Sequence, residues 1–304
     1  MPIKIPSTLP ARSVLEGENI FVMTEERAVS QDIRPLKILI LNLMPTKIVT
    51  ETQLLRLLGN SPIQVEIELI KTATYSPKNT PSEHLLTFYT TFDKVKNKKY
   101  DGMIVTGAPV EHMDFEQVAY WDELCEIIDW AKENVYSSLY ICWGAQAALY
   151  HNYSIEKIIL DKKLFGIFEH KVCCPNHPLM RGFDDVFLAP HSRHTAINSK
   201  QLAKVPNLNV LAASDIAGEY IIHDPNQRSF YITGHSEYDS DTLAKEYHRD
   251  ISNGLVIDLP YNYFPGNDPA KPPKLTWRAH STLLFNNWLN YFVYQETPFD
   301  ITKI

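Results

Sequence analysis

The chain has 304 residues, of which 44% are hydrophobic and 11% aromatic, with 29 basic against 36 acidic side chains and a formal charge of −7. That length and composition allow a large globular α/β core and exclude the disordered and fibrous classes. The acidic balance leaves no overall basic field for gripping a polyanion, so no nucleic-acid partner is expected; the cluster Lys94, Lys96, Lys98 and Lys99 reads as a solvated turn.

Residues 1–35, with Pro2, Pro6, Pro10 and Gly17 and no sustained period, read as an N-terminal arm packed on an α/β body at 36–304. Prolines interrupt the apolar stretch that a signal peptide needs, and no later run approaches the roughly 18 apolar residues of a membrane span, so a cytoplasmic protein is expected. The body opens at 36–44 with a nearly continuous apolar run closed by Pro45, the pattern of a strand buried on both faces of a parallel sheet. Ile48, Leu54, Leu55 and Leu58 then recur at helical spacing until Gly59 and Asn60. An alternating strand at 63–69, a polar segment around 72–83, a helix at 82–92 and a strand at 101–107 follow. Next come a long amphipathic helix at 115–133 and a strand at 138–142 running straight into a helix from Trp143. This rhythm predicts a doubly wound, mostly parallel, flavodoxin-like sheet. After residue 155 the pattern loosens, with short strands near 210–213 and 219–222, a stronger one at 229–233, a helix at about 240–250, a Pro-rich stretch at 261–273 and a last helix at 276–294. The apolar face of that last helix, with the N-terminal arm, offers surfaces for a homodimer.

Cys142 stands where the strand at 138–142 becomes a helix. A tight turn there presents a side chain at the carboxyl end of the sheet, the place of a nucleophile elbow, and the helix N-terminus favours negative charge and offers N–H groups to an oxyanion. Gly144 permits the close approach of helix and strand that such a turn needs. The alternative is a buried structural cysteine. Directly after the strand ending at Thr233 comes Gly234-His235-Ser236-Glu237-Tyr238. If His235 is a general base, Glu237 is placed to hold its tautomer and steady the cation; otherwise the segment is a polar surface turn. Both features fall at carboxyl ends of predicted strands, where open α/β sheets assemble their sites. The cysteines Cys125, Cys142, Cys173 and Cys174 lack disulfide-framework spacing, which leaves a working thiol available in a reducing compartment.

The run Tyr140-Ile141-Cys142-Trp143-Gly144-Ala145-Gln146 together with His235-Ser236-Glu237 resembles the Cys-His-Glu triad of class I glutamine amidotransferase-like folds, with Tyr140 and Ala145 as departures. With Leu43-Met44-Pro45, Thr106-Gly107-Ala108-Pro109 and His191-Ser192-Arg193-His194, the chain resembles the homoserine O-acyltransferases of bacterial methionine biosynthesis, from Pro6 to about Tyr294. The resemblance implies acyl transfer from an acyl-coenzyme A to the hydroxyl of L-homoserine through a thioester on Cys142, with ping-pong kinetics, no permanently bound cofactor and no metal. His235 and Glu237 complete the catalytic set. Backbone N–H groups at Trp143 and in the Gly107–Ala108 turn are the expected oxyanion donors. Arg249, Lys163 and Ser192 match the family's substrate-binding positions, and a planar guanidinium suits a carboxylate.

Members of the family differ at the position of Glu111, where glycine goes with succinyl-CoA and glutamate with acetyl-CoA. Two like charges about 4 Å apart cost roughly 4 kcal/mol at an effective dielectric near 20, so Glu111 points to acetyl-CoA, with succinyl-CoA as the alternative donor. The competing activities are a glutamine amidotransferase-type cysteine hydrolase, a metal or redox site on Cys173, Cys174, His177, His191 and His194, and a ligand sensor with a structural cysteine. Adjacent cysteines lack the usual metal-ligand spacing. Whether Lys47 touches the coenzyme is open at this level.

Overall fold

The structure is a computed structural model and describes residues 3–6, 8–18, 22–23, 34–75 and 79–304. It begins with β1 (Ile3–Lys4), α1 (Ala11–Gly17) and β2 (Val22–Met23). There follow β3 (Leu36–Leu41), α2 (Lys47–Gly59), β4 (Val65–Lys71), α3 (Ser82–Phe88), β5 (Tyr89–Thr91), α4 (Phe92–Val95) and β6 (Tyr100–Val105). Next are α5 (Trp121–Asn134), β7 (Val135–Ile141), α6 (Trp143–Tyr153), β8 (Lys157–Val172), β9 (Val186–Ile197) and α7 (Ser199–Leu202). The chain closes with β10 (Asn209–Ser214), β11 (Gly218–Asp224), β12 (Ser229–Ile232), α8 (Thr242–Ser252) and α9 (Arg278–Asn287).

The strands form one sheet in the order β2-β1-β4-β3-β6-β7-β12-β11-β10-β8-β9, with β5 added to β4. Neighbours are parallel from β2 as far as β12 and antiparallel from β12 to β9. Side-chain parity explains the parallel half. Ile38, Ile40, Ile104, Leu139 and Ile141 pack on one face with Leu54, Leu55 and Leu58 of α2 and Leu284 and Phe285 of α9. Leu39, Leu41, Met103, Val105 and Tyr140 pack on the other with Leu124, Ile127 and Ile128 of α5 and Ala147, Ala148 and Leu149 of α6. Strands apolar at both parities need helices on both faces, which is the doubly wound arrangement. Among the described residues no helix is long and apolar enough to cross a membrane.

Parts of the expected arm, residues 1, 2, 7, 19–21 and 24–33, and residues 76–78 of the polar segment lie outside the described residues. The described part of the arm extends the sheet, because β1 pairs in parallel with β4 and β2, and α1 buries Ala11 and Leu15. The helix expected at 82–92 stops at Phe88, since Tyr89–Thr91 pairs with β4, and the helix expected from Phe115 begins at Trp121 after a tight turn at Phe115–Gln117. The last helix widens into a π-type segment at Trp288–Tyr294. Its Trp288, Leu289 and Val293 are buried in the chain's own core, so that stripe is not free for the homodimer contact expected of it.

The largest departure follows residue 155, where the loosened pattern conceals the long antiparallel pair β8–β9. The register of β8 breaks between Ile159 and Leu164, and Ile158 and Ile159 face solvent, so alternation is not sustained along it. Two imidazole pairs, one buried and one partly buried, stabilise this half: His170 Nε2 lies 3.0 Å from His191 Nε2, and His177 Nε2 lies 3.0 Å from His223 Nδ1. At least one ring of each pair must be neutral for one nitrogen to donate and the other accept. Burial pushes His170 down to about 4 and His223 down to about 3 from the ordinary 6.5. A lowered folded-state value means stability fully present above pH 6.5 and lost as the pH falls toward 4, by about 3 kcal/mol for His170 alone. Urea midpoints measured from pH 7.5 to 5 are expected to decline below pH 6.5; a flat profile across that range would contradict the burial of neutral rings.

Candidate active site

Strand β7 ends at Ile141 and α6 starts at Trp143, leaving Cys142 between them with φ 51° and ψ −116°. A non-glycine residue there is strained, and such a conformation persists only where its surroundings over-determine it. The Cys142 N–H donates to Ile232 O at 2.7 Å, its carbonyl accepts from Gln146 N–H at 3.1 Å, and the Trp143 side chain is fully buried. The elbow also needs Gly144: a Cβ there would lie 2.6 Å from the Thr106 carbonyl oxygen at the end of β6. Cys142 is thereby held at the carboxyl edge of the sheet, over the first turn of α6.

The loop after β12 brings the base. His235 N–H donates to Pro190 O of β9 at 2.9 Å, and a Cβ on Gly234 would lie 2.8 Å from that same oxygen, so glycine lets the loop sit against the strand. His235 Nδ1 is hydrogen-bonded to Glu237 Oε1 at 2.6 Å, and the ring lines the same cavity as Cys142, near enough for the two to interact. Burial opposes a charge on this ring, but Cys142 and Glu237 outweigh it and hold its pKa well above the ordinary value. The sequence-predicted trio is therefore brought together, with Glu237 behind His235.

Cys142, His235, Glu111, Lys163, Ser192 and Arg249 all line one cavity of about 570 Å³. At its far end Lys163 Nζ lies 3.4 Å from Glu246 Oε2 and 3.3 Å from Asp250 Oδ2, Ser192 Oγ donates to Glu246 Oε2 at 2.5 Å, and Arg249 Nε donates to Asp250 Oδ1 at 2.8 Å. The Arg249 side chain is 62% exposed, so it stands at the cavity mouth. Glu111 Oε2 accepts the His194 N–H at 3.0 Å, which pins its carboxylate to β9. Lys47, next to the wall formed by Met44, Pro45 and Thr46, is buried with its ammonium on the Asn42 carbonyl, and burial lowers it to about 8.

A family model described as homoserine O-succinyltransferase matches residues 2–299. The chain belongs to the homoserine O-succinyltransferase family. Among its curated relatives, homoserine O-acetyltransferases of Acetivibrio thermocellus and Bacteroides fragilis are 61% and 58% identical over 304 residues, 100% of both chains in each case. One from Geobacillus kaustophilus is 57% identical over 300 residues, 99% of each chain. Among solved structures, a glutamine amidotransferase of Thermotoga maritima superposes with a TM-score of 0.55 at 12% identity, over 86% of this chain and 100% of that one, a likeness of fold alone.

For this member of the family, sequence reasoning misses Glu246, Asp250, Tyr238 and Arg193. Glu246 and Asp250 lie four residues apart on α8, one helical turn, and thus share a face; that spacing was the available signal. Arg193 is almost fully buried between Ser192 and His194, and donates to the carbonyls of Thr195 and Ala217 rather than to a carboxylate. The histidines of the candidate metal motifs are directed elsewhere, His177 to His223 and His191 to His170. The Gly144 contact yields a test. Gly144→Ala is expected to destabilise the fold by about 1–3 kcal/mol and to abolish alkylation of Cys142 at its wild-type rate, since the elbow must open; an unchanged melting temperature and alkylation rate would refute the close approach.

Proposed function

We propose that the protein is a homoserine O-acetyltransferase, moving an acetyl group from acetyl-coenzyme A to the hydroxyl of L-homoserine by way of Cys142. The observation that carries this reading is the strained elbow holding Cys142 against His235, in one cavity with Glu111, Lys163, Ser192 and Arg249. In the first half-reaction the Cys142 thiolate attacks the thioester carbonyl, the bond to the coenzyme sulfur breaks, and coenzyme A departs as a thiol with the proton held by His235. In the second, His235 Nε2 takes the proton from the homoserine hydroxyl as its oxygen attacks the acetyl-enzyme, and Cys142 leaves as thiolate. Glu237 on Nδ1 keeps Nε2 directed at the reacting atoms throughout.

The Cys142 N–H is already donated to Ile232 O, so the developing oxyanion falls to the N–H groups of Trp143 and the Gly107–Ala108 turn. For the acceptor, Arg249 and Lys163 take the carboxylate, and Glu246, beside Ser192, takes the ammonium. For the donor, Glu111 presents a fixed negative charge where the distal carboxylate of a succinyl group would lie. This reading assigns the reaction to the cytoplasm, where thiols stay reduced, and the free cysteines Cys125, Cys142, Cys173 and Cys174 support it.

Coenzyme A release from acetyl-CoA is expected to require L-homoserine, to give parallel double-reciprocal lines, and to vanish in Cys142→Ala. Silence with both acetyl-CoA and succinyl-CoA, together with ammonia release from glutamine, would transfer the site to the amidotransferase-type hydrolysis that its triad also permits. Wild-type protein is expected to favour acetyl-CoA over succinyl-CoA by about a hundredfold or more in kcat/KM, as follows from a like-charge cost of a few kcal/mol. Glu111→Gly is expected to admit succinyl-CoA. Butyryl-CoA, an uncharged analogue of similar length, separates the causes: a wild type that accepts butyryl but not succinyl discriminates by charge, and one that rejects both discriminates by volume.

A further inference from the structure

The face of the His235 ring is covered by Tyr238. Their ring centroids are 4.1 Å apart with an interplanar angle of 11°, and Tyr238 is itself buried, lining the catalytic cavity. Tyr238 is anchored independently of His235: its backbone carbonyl accepts the Trp277 indole N–H at 3.1 Å, and its ring packs with Phe165, Leu243, Tyr263 and Phe264 in a separate small core. Its hydroxyl donates to Glu246 Oε1 at 3.3 Å. Burial and the neighbouring carboxylates keep the phenol neutral.

The bond to Glu237 fixes rotation of the imidazole within its own plane but leaves tilting out of that plane free. A face-stacked ring closes that second motion. It also presents a π-face to the imidazolium that forms when His235 takes a proton. We infer that Tyr238 is the positioning residue of the general base, setting the tilt of His235 by stacking and favouring its protonated form, while its hydroxyl ties the base to the acceptor end of the cavity at Glu246. This rests on the acyl-transfer reading, and it adds a residue that acts through His235 rather than on the substrate.

The charged and titratable groups around the ring are Cys142 on the elbow, Glu237 in its own loop and His191 on β9, with Glu246 on α8 reaching it through Tyr238. Substitution at Tyr238 leaves Cys142, Glu237 and His191 unchanged and releases Glu246 alone from its bond to the phenol, a loss that the leucine and phenylalanine variants share. The test is single-turnover transfer from preformed acetyl-enzyme to L-homoserine as a function of pH, where the acidic limb reports protonation of His235. Tyr238→Leu removes a stabiliser of the cation, so the limb is expected to move to lower pH by about half a unit to one unit. Its plateau rate is expected to fall about tenfold or more. Tyr238→Phe keeps the stack and loses only the hydroxyl, so it is expected to restore the limb and most of the plateau rate while raising the KM for homoserine several-fold. Tyr238→Met serves in the same way if the leucine variant does not fold. A limb that stays at its wild-type pH in the unstacked variants, or a plateau lost equally in the leucine and phenylalanine variants, overturns the role of Tyr238 and leaves the acyl-transfer reading in place. An inactive wild type overturns both.

Discussion

Everything in the site hangs on the backbone at Cys142. A residue with positive φ and a Cβ costs on the order of 1–3 kcal/mol, which the surrounding structure has to offset. It does so with contacts that also build the reaction centre. Ile232 O, which fixes the Cys142 N–H, ends the strand that leads to His235; Thr106 O, which Gly144 approaches, begins the turn that carries Gly107 and Ala108. Relaxing the elbow would therefore displace the nucleophile, the base loop and the oxyanion turn together.

The antiparallel half of the sheet is the other wall of the site. Pro190 O on β9 receives the His235 N–H, Ser192 and His194 face the cavity, and the His194 N–H pins Glu111. Arg193, between them, points into the core, where burial lowers its pKa while the charges of Cys142, Glu111 and Glu219 support its cationic form. Its guanidinium is held by the carbonyls of Thr195 and Ala217 and by His191 Nδ1, with no carboxylate in contact among the described residues, which keeps a positive charge near the site. Burying a charge in that way is costly, and the electrostatic support of Cys142 and Glu111 at longer range offsets part of that cost.

The parallel half was legible because β3, β6 and β7 are apolar at both parities, a pattern that strands covered on both faces produce and amphipathic helices do not. The elbow was legible because a strand runs without a loop into a helix at Cys142. The β8–β9 pair was not, since a register break at 159–164 and exposed isoleucines erase the period of two. Tyr89–Thr91 reads as helix locally, and only its pairing with β4 makes it a strand. In the site, Cys142, His235 and Glu237 could be read from the chain, whereas Lys163, Ser192, Arg249 and Glu111 came from resemblance. Glu246 and Asp250 escaped notice because acidic residues one turn apart on an amphipathic helix look like its solvated face. Tyr238 was visible within its motif, but stacking on His235 is a property of the folded loop.

The acceptor end of the cavity follows a distinct electrostatic logic. Lys163 and Arg249 already have carboxylate partners in Glu246 and Asp250, so on the acyl-transfer reading a zwitterionic acceptor does not meet bare charges. On that reading its carboxylate joins Lys163 and takes the place of Asp250 on Arg249, and its ammonium takes the place of Lys163 and the Ser192 hydroxyl on Glu246. Each exchange trades one ion pair for another of similar strength, and the open position of Arg249 screens its share further. Net affinity from these contacts is therefore modest, and on that reading their value lies in geometry: a ligand carrying both charges in the amino-acid arrangement satisfies Arg249, Lys163 and Glu246 at once, in the same cavity as His235 and Cys142.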